Sequence, residues 1–142
     1  MCGEFEEEDF LDEQMFNRFL TLAKTFGIRP EPGNKQSELD LNRSEDRRIY
    51  MDQLFKAGLT RAVNDAQHIP QEGDHMDALA IQAVVFGRLA GFLAGQLPPE
   101  SNMMKASMES FLEGYNEALE KNHALVEEEG HHGHAHGHGH SH

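Results

Sequence analysis

The chain is poor in cysteine, tryptophan and basic residues. Its one cysteine, Cys2, cannot form an internal disulfide, which fits a reducing compartment. Lys and Arg number 12 against 25 Asp and Glu, and the formal net charge is −13. This negative charge repels phosphate backbones, so nucleic acid is not an expected partner. Cations and basic protein surfaces are the partners that the charge favours.

Several sequence patterns are also missing. The N-terminal residues MCGEFEEEDF are acidic, whereas a secretory signal has positive charge followed by an apolar run. No alternating strand pattern and no internal repeat occur. The apolar segment Leu79–Leu97 carries Arg88 at its centre, where a charge raises the insertion free energy by roughly 2.5–3.5 kcal/mol. We therefore expect an all-α cytoplasmic protein that does not span a membrane.

Apolar residues recur at helical spacing in four segments of the chain. These predict helices over about 4–26, 44–68, 75–97 and 100–129, with a linker over 27–43. The connector between the second and third helices is short, so we expect those two helices to be antiparallel neighbours. The predicted fold is a four-helix bundle-like single domain over 1–129, followed by a disordered His-rich tail over 130–142.

The ends of these helices have recognisable signals. Gly27 is a natural stop for the first helix. Ser44 and Asp74 are expected to cap the second and third helices, because short polar side chains accept hydrogen bonds from free N–H groups there. The Pro98-Pro99 pair ends the third helix, and one of these prolines can occupy the first turn of the fourth.

The third helix is apolar on most sides, which predicts a central position in the bundle. Small residues occur at every fourth position along it and form one ridge: Ala83, Gly87, Gly91 and Gly95. Such a ridge lets another backbone approach closely. Within the chain, the second helix offers Gly58 and Ala62 as a matching small surface. A homodimer through the Gly87/Gly91/Gly95 face is the alternative.

The tail carries the clearest chemical signal. Seven of the thirteen residues from Gly130 to His142 are histidines: His131, His132, His134, His136, His138, His140 and His142. Neutral imidazole is a common ligand of first-row transition metals, and the upstream glutamates 127–129 concentrate cations. We predict that the tail binds a divalent transition metal, with nickel or zinc favoured and cobalt or copper also compatible.

The tail has two other interpretations, a purification tag and a neutral solubilising segment. A tag is normally an uninterrupted run of histidines, whereas here glycine, alanine and serine alternate with them. The segment is similar to the His-rich termini of bacterial nickel and zinc handling proteins, such as nickel metallochaperones and cation-efflux proteins. This similarity implies metal handling. It does not extend to a metallochaperone GTPase, because the body lacks a phosphate-binding Gly-rich loop with Lys-Ser/Thr.

A weaker candidate site lies in the helices. The spacing acid-x-x-His occurs at Asp65/His68 and at Glu120/His123, and it places both side chains on one helix face. Ferritin-like di-iron bundles use Glu-x-x-His on two helices, and the similarity implies an internal metal site that could include His75. Ordinary solvated surface residues are the competing interpretation.

The leading functional hypothesis is a small helical protein that binds, buffers or delivers divalent metal through its tail. The alternatives are a protein-interaction module with an incidental tail, and a ferritin-like metalloenzyme that uses the acid-x-x-His pairs. Cys2-Gly3 resembles the start of amidotransferases with an N-terminal cysteine nucleophile, but such enzymes need a large β-rich fold. Cys2 is therefore an exposed thiol that could serve as an auxiliary ligand. We identify no catalytic residues.

Overall fold

The fold is described here from a computed structural model, which covers residues 3–32 and 38–132, with the side chains of 10–32, 38–71 and 73–131. These residues form four α-helices: α1 (Gly3–Thr25), α2 (Ser44–Gln67), α3 (His75–Ala94) and α4 (Met103–His132). The covered ranges contain no strand, which confirms the all-α class and its four helices. The chain divides into two compact units, Met1–Leu89 and Ala90–His142.

The end of α1 follows its sequence signal. Gly27 adopts φ of 76°, a conformation that glycine reaches without steric cost. The N–H of Gly27 donates to the carbonyl of Lys24, and the N–H of Ile28 donates to that of Ala23. These two bonds form a Schellman motif, which satisfies the last free carbonyls of the helix. The stop predicted at Gly27 is confirmed.

The start of α2 differs from the prediction by one residue. The N-cap is Arg43 in an extended conformation, and Ser44 is already the first helical residue. No side chain makes a capping hydrogen bond at this N-terminus. Asp46 instead accepts a hydrogen bond at 3.0 Å from the backbone N–H of Asp40, so an acid in the first turn connects the incoming chain to the helix.

Two side chains of α3 connect it to α2. His75 Nδ1 lies 2.6 Å from the carbonyl oxygen of Ala66, and Gln82 Nε2 donates to the carbonyl oxygen of Ala62 at 3.2 Å. The later residue of α3, Gln82, therefore contacts the earlier residue of α2, Ala62. This confirms that the two helices are antiparallel neighbours.

The surface between α2 and α3 is small. Ala62 and Ala66 are the buried residues among the side chains that the structure covers, at 8% and 9% exposure. No residue of α3 is buried, although this helix was expected at the centre of a bundle. Burial contributes only about 0.8 kcal/mol per CH₂ group, so two alanine methyls supply little stabilisation.

Within the first unit, Gly87 of the small-residue ridge does not pack against Gly58 of α2. A Cβ added at Gly58, Gly87 or Gly91 would meet no atom within 4 Å, and one added at Gly95 would meet only carbonyl oxygens of its own helix. The intramolecular option, in which Gly87 packs on Gly58, is therefore wrong, while the homodimer option stays a prediction. The physical reason is that α3 presents a different face to α2, the face that carries His75 and Gln82.

In the second unit, α3 ends at Ala94, three residues before the predicted end. Pro99 begins a short 3₁₀ helix, Pro99–Ser101, rather than the first turn of α4. Asn102 follows in the left-handed region with φ of 53°, so α4 begins only at Met103. At its other end α4 continues through Gly130 to His132, beyond the predicted end at 129.

Within the covered ranges, α3 is long and apolar enough to cross a membrane by length and composition. None of the residues in this segment is buried. The composition of α3 is thus compatible with a core helix, a membrane helix or an interface helix.

Candidate functional site

The C-terminal end of α4 includes the first three residues of the predicted metal-binding tail, Gly130, His131 and His132. Because the helix runs to His132, His131 has a defined position relative to the preceding turns. His123, Glu127 and His131 follow each other at four-residue spacing and share one helix face. His123 Nδ1 lies 3.4 Å from Glu127 Oε1, and all three side chains are exposed.

The four-residue spacing of these side chains is compatible with metal binding. Two ligands four residues apart on a helix can bind one metal ion, as in zinc sites that use His at positions i and i+4. The arrangement on α4 supplies an imidazole, a carboxylate and a second imidazole along about two turns. Sequence reasoning treated His123 as the partner of Glu120, and it missed the relation to Glu127, which the i+4 spacing itself signals.

The remaining tail ligands fall outside the covered residues. These are the predicted ligands His134, His136, His138, His140 and His142, together with the side chain of His132. Cys2 also lies outside them. Their assignment as metal ligands stays a prediction.

The helical candidates in the first unit are His68 and His75. His68 Nδ1 lies 2.6 Å from the carbonyl oxygen of Asn64, and His75 makes the corresponding contact with Ala66. A carbonyl oxygen only accepts hydrogen bonds, so Nδ1 is the donor in each contact and Nε2 is left outside it. A backbone carbonyl commonly orients metal-binding histidines in this way.

The carboxylate of the same candidate site is already engaged. Asp65 Oδ2 accepts a hydrogen bond from Arg61 Nε at 2.6 Å. No group of three or more His, Cys, Asp or Glu side chains that could hold a metal ion occurs among the residues covered by the structure. The Asp65/His68/His75 and Glu120/His123 ligand sets, and metal binding by His123, Glu127 and His131, therefore remain predictions from spacing.

An open cleft of about 520 Å³ lies beside the α2–α3 contact. Asp65, Asp74 and Asp77 line it together with Gln82 and three apolar residues. Gln82 Oε1 is the one side-chain oxygen or nitrogen in the covered part that is buried without a hydrogen-bond partner. The sequence analysis did not identify Gln82 as a contact residue. Gln82 could have been found because it is a polar residue seven positions after His75, on the same face of an apolar helix.

The second half of α4 carries its own charge pairs. Lys121 Nζ lies 2.7 Å from Glu117 Oε1, and this hydrogen bond, with the negative charge of Glu117, raises the pKa of Lys121 above its ordinary value. Lys121 therefore stays protonated and neutralises one of the acids upstream of the tail.

The chain was compared with known proteins at the level of family, sequence and structure. No protein-family profile, curated protein or solved structure matches it.

Proposed function

We propose that the protein binds divalent transition metal ions through its C-terminal histidines, and that it buffers or delivers them in the cytoplasm. The observation that carries this proposal is the density of histidines, seven among the thirteen residues from Gly130 to His142. Nickel and zinc are the ions that the similarity of the tail to nickel and zinc handling proteins implies; imidazole also binds cobalt and copper, and the histidines alone do not separate these four ions.

The chemistry of the segment supports reversible binding. Several imidazoles can share one ion in more than one combination, so ions exchange between ligand sets rather than being held in a single closed site. The acidic residues around the end of α4 raise the local cation concentration. Their nearest members, Glu127, Glu128 and Glu129, directly precede the tail.

The end of α4 adds a fixed element to this binding segment. His123, Glu127 and His131 have helical spacing, and a metal ion bound between two of them would anchor the rest of the tail ligands nearby. In this proposal the helix supplies the first ligands and the following residues complete the coordination.

Removal of the tail tests the proposal. Isothermal titration calorimetry at pH 7.5 with nickel and with zinc should give more than one bound ion per full-length chain. A variant that ends at Glu129 should lose most of this binding. As a matched control, His68→Gln retains the tail and the α4 histidines and should keep most sites.

The same titrations separate the alternatives. Unchanged stoichiometry in the chain that ends at Glu129 would contradict the proposal. If that truncated chain also retained one equivalent of iron after purification, the ferritin-like alternative with Asp65, His68, Glu120 and His123 would be favoured instead.

The pH dependence gives a second test. Imidazolium has no free lone pair, so metal binding should weaken as the pH falls through about 6.5, the ordinary pKa of histidine. Titrations at pH 7.5, 6.5, 5.5 and 4.5 should show this loss. Full binding at pH 4.5 would indicate carboxylate ligands and contradict a histidine site.

A further inference from the structure

One face of α3 is apolar and turned away from α2. The contact with α2 uses His75, Ala78 and Gln82, which are the half-buried residues of the first half of the helix. At 100° per residue, Asp77 and Arg88 lie on the side of the helix opposite this contact. Beside them are five apolar or small residues that also point away from α2, which we call the away face: Met76, Ala80, Ala83, Val84 and Gly87.

The away face is uncovered. Met76 is 71% exposed and Val84 is 75% exposed, and the other three residues are exposed as well. Space is also free above the backbone, since a Cβ added at Gly87 would meet nothing within 4 Å. A continuous apolar patch of this kind on a helix is typical of an interaction surface.

We propose that the away face of α3 is a homodimer interface, in which α3 packs antiparallel against α3 of a second copy of the chain. Three properties of the face support a second copy as the partner. Large side chains can lie opposite small ones, and acidic side chains can lie opposite basic ones. The same surface supplies both members of each such pair.

The sizes match in one antiparallel register. If Ala80 lies opposite the partner's Gly87, then Ala83 lies opposite the partner's Val84. Each bulkier side chain of the face thereby meets a smaller one. Helices packed in this way can approach closely, because the side chains at the contact are small.

The charges match in the same register. Asp77 and Arg88 are the charged residues of α3, and both lie along one edge of the away face. Neither makes an ion pair with another residue of the covered part of the chain. In the antiparallel register Asp77 lies about 3 Å along the helix axis from the partner's Arg88, within reach of the arginine side chain.

The two-fold symmetry decides between this partner and others. In an isologous interface each contact occurs twice, so the dimer gains two Asp77–Arg88 pairs from one surface. A parallel two-fold pair would place this charged edge on opposite sides of the contact in the two copies, so it would gain no Asp77–Arg88 pair. A lipid bilayer would have to accommodate Arg88 without a counter-ion, which is unfavourable near the centre of a membrane.

The first test measures the mass of the full-length chain by sedimentation equilibrium. A dimer of twice 16.0 kDa is expected at micromolar concentration. A monomer at all accessible concentrations would overturn the proposal. So would a monomer that floats with phosphatidylcholine vesicles, because that result would assign the face to lipid.

Charge exchange then tests the register. Asp77→Arg places two arginines at each contact, and Arg88→Asp places two aspartates there. Each single change should raise the dimer dissociation constant at least tenfold. The double variant Asp77→Arg/Arg88→Asp should restore association, with helix content monitored by circular dichroism. Failure of the double variant to recover while still helical would overturn the antiparallel pairing.

A size change tests the close approach. Gly87→Leu should raise the dissociation constant at least tenfold, since the leucine would overlap the partner's Ala80. Gly114→Leu is the matched control, because Gly114 also has no atom within 4 Å of an added Cβ and lies on α4. Unchanged dimer affinity in Gly87→Leu would overturn this interface.

Discussion

Helices α3 and α4 are both long, yet different interactions stabilise them. α3 carries two charged residues and binds α2 through polar side chains that meet backbone carbonyls. α4 is highly charged, and from Met108 to His131 all its side chains are exposed. Its charged side chains form ion pairs within the helix, such as Lys105–Glu109 and Glu117–Lys121.

The difference shows what each helix depends on. The position of α3 depends on a small contact with α2, where a few atoms decide which face points inward. α4 depends on local helix energetics, in which each exposed pair contributes little. Substitutions should therefore have much larger effects at the α2–α3 contact than on the second half of α4.

The largest effect is expected for Ala62→Leu. The Ala62 side chain is buried and its carbonyl accepts the hydrogen bond from Gln82 of α3, so three additional carbon atoms would overpack this site and destabilise the fold by roughly 1–3 kcal/mol. Urea unfolding followed by circular dichroism measures the change. The control is Ala118→Leu at an exposed position of α4, which should alter stability by less than about 0.5 kcal/mol. Equal effects of the two variants would refute the distinction between the helices.

A somewhat smaller and pH-dependent effect is expected for Gln82→Glu. The carboxylate cannot donate to the Ala62 carbonyl, and it would join Asp65 and Asp77 in the same cleft. We expect a loss of about 1–2 kcal/mol at pH 7. The neighbouring negative charges would raise the pKa of the introduced carboxyl above the ordinary value of about 4.3.

The sign of this pH dependence is fixed by that raised pKa. The destabilisation is fully present above the raised value and disappears as the pH falls below about 4.3, where the carboxyl is protonated in both states. Thermal melts of variant and parent at pH 7 and pH 4 measure the difference. Gln82→Met is the uncharged control; it removes both the hydrogen bond and the unpaired Oε1, so its stability should stay close to that of the parent. A loss in Gln82→Glu that did not change with pH would exclude the electrostatic cause.

The smallest effect is expected for Lys121→Met. The variant removes the pair with Glu117, but both side chains are exposed and water competes for each charge. No measurable change in melting temperature is expected, at low or high salt. A clear destabilisation at low salt would show that the ion pairs within α4 stabilise the helix more than expected for exposed side chains.

The existence of the helices could be predicted from the sequence because hydrophobic periodicity is a local property. Gly27 ended α1 as expected, since only the local conformation matters there. The start of α4 could not be predicted as well. Asn102 adopts the left-handed conformation after the prolines, and asparagine only sometimes does so, whereas glycine does so routinely.

The orientation of α3 was the main error. Small residues indicate that close approach is possible, but they do not indicate which helix approaches. The polar residues His75 and Gln82 decided the orientation, because each needs a hydrogen-bond partner and the carbonyls of α2 supply it. A search for polar residues sharing one face of an apolar helix would have found them.

The candidate metal site was predictable in composition but not in geometry. Alternation of histidine with glycine and alanine identifies suitable ligands, yet it does not fix distances between them. Only where the helix continues, at His131, does the sequence spacing become a spatial relation to His123 and Glu127. Binding stoichiometry and the identity of the ion therefore have to come from titration.

The extension of α4 through Gly130 has a thermodynamic consequence. Glycine lowers helix stability by about 1 kcal/mol relative to alanine, and the acids at 127–129 lie at the negative end of the helix dipole. The last turn is thus the least stable part of α4 on local grounds, and a cation held there would neutralise the unfavourable charges. Folding of this turn and cation binding are then linked. If the ordered turn increases the cation affinity by some factor, the bound cation increases the equilibrium constant for ordering the turn by the same factor.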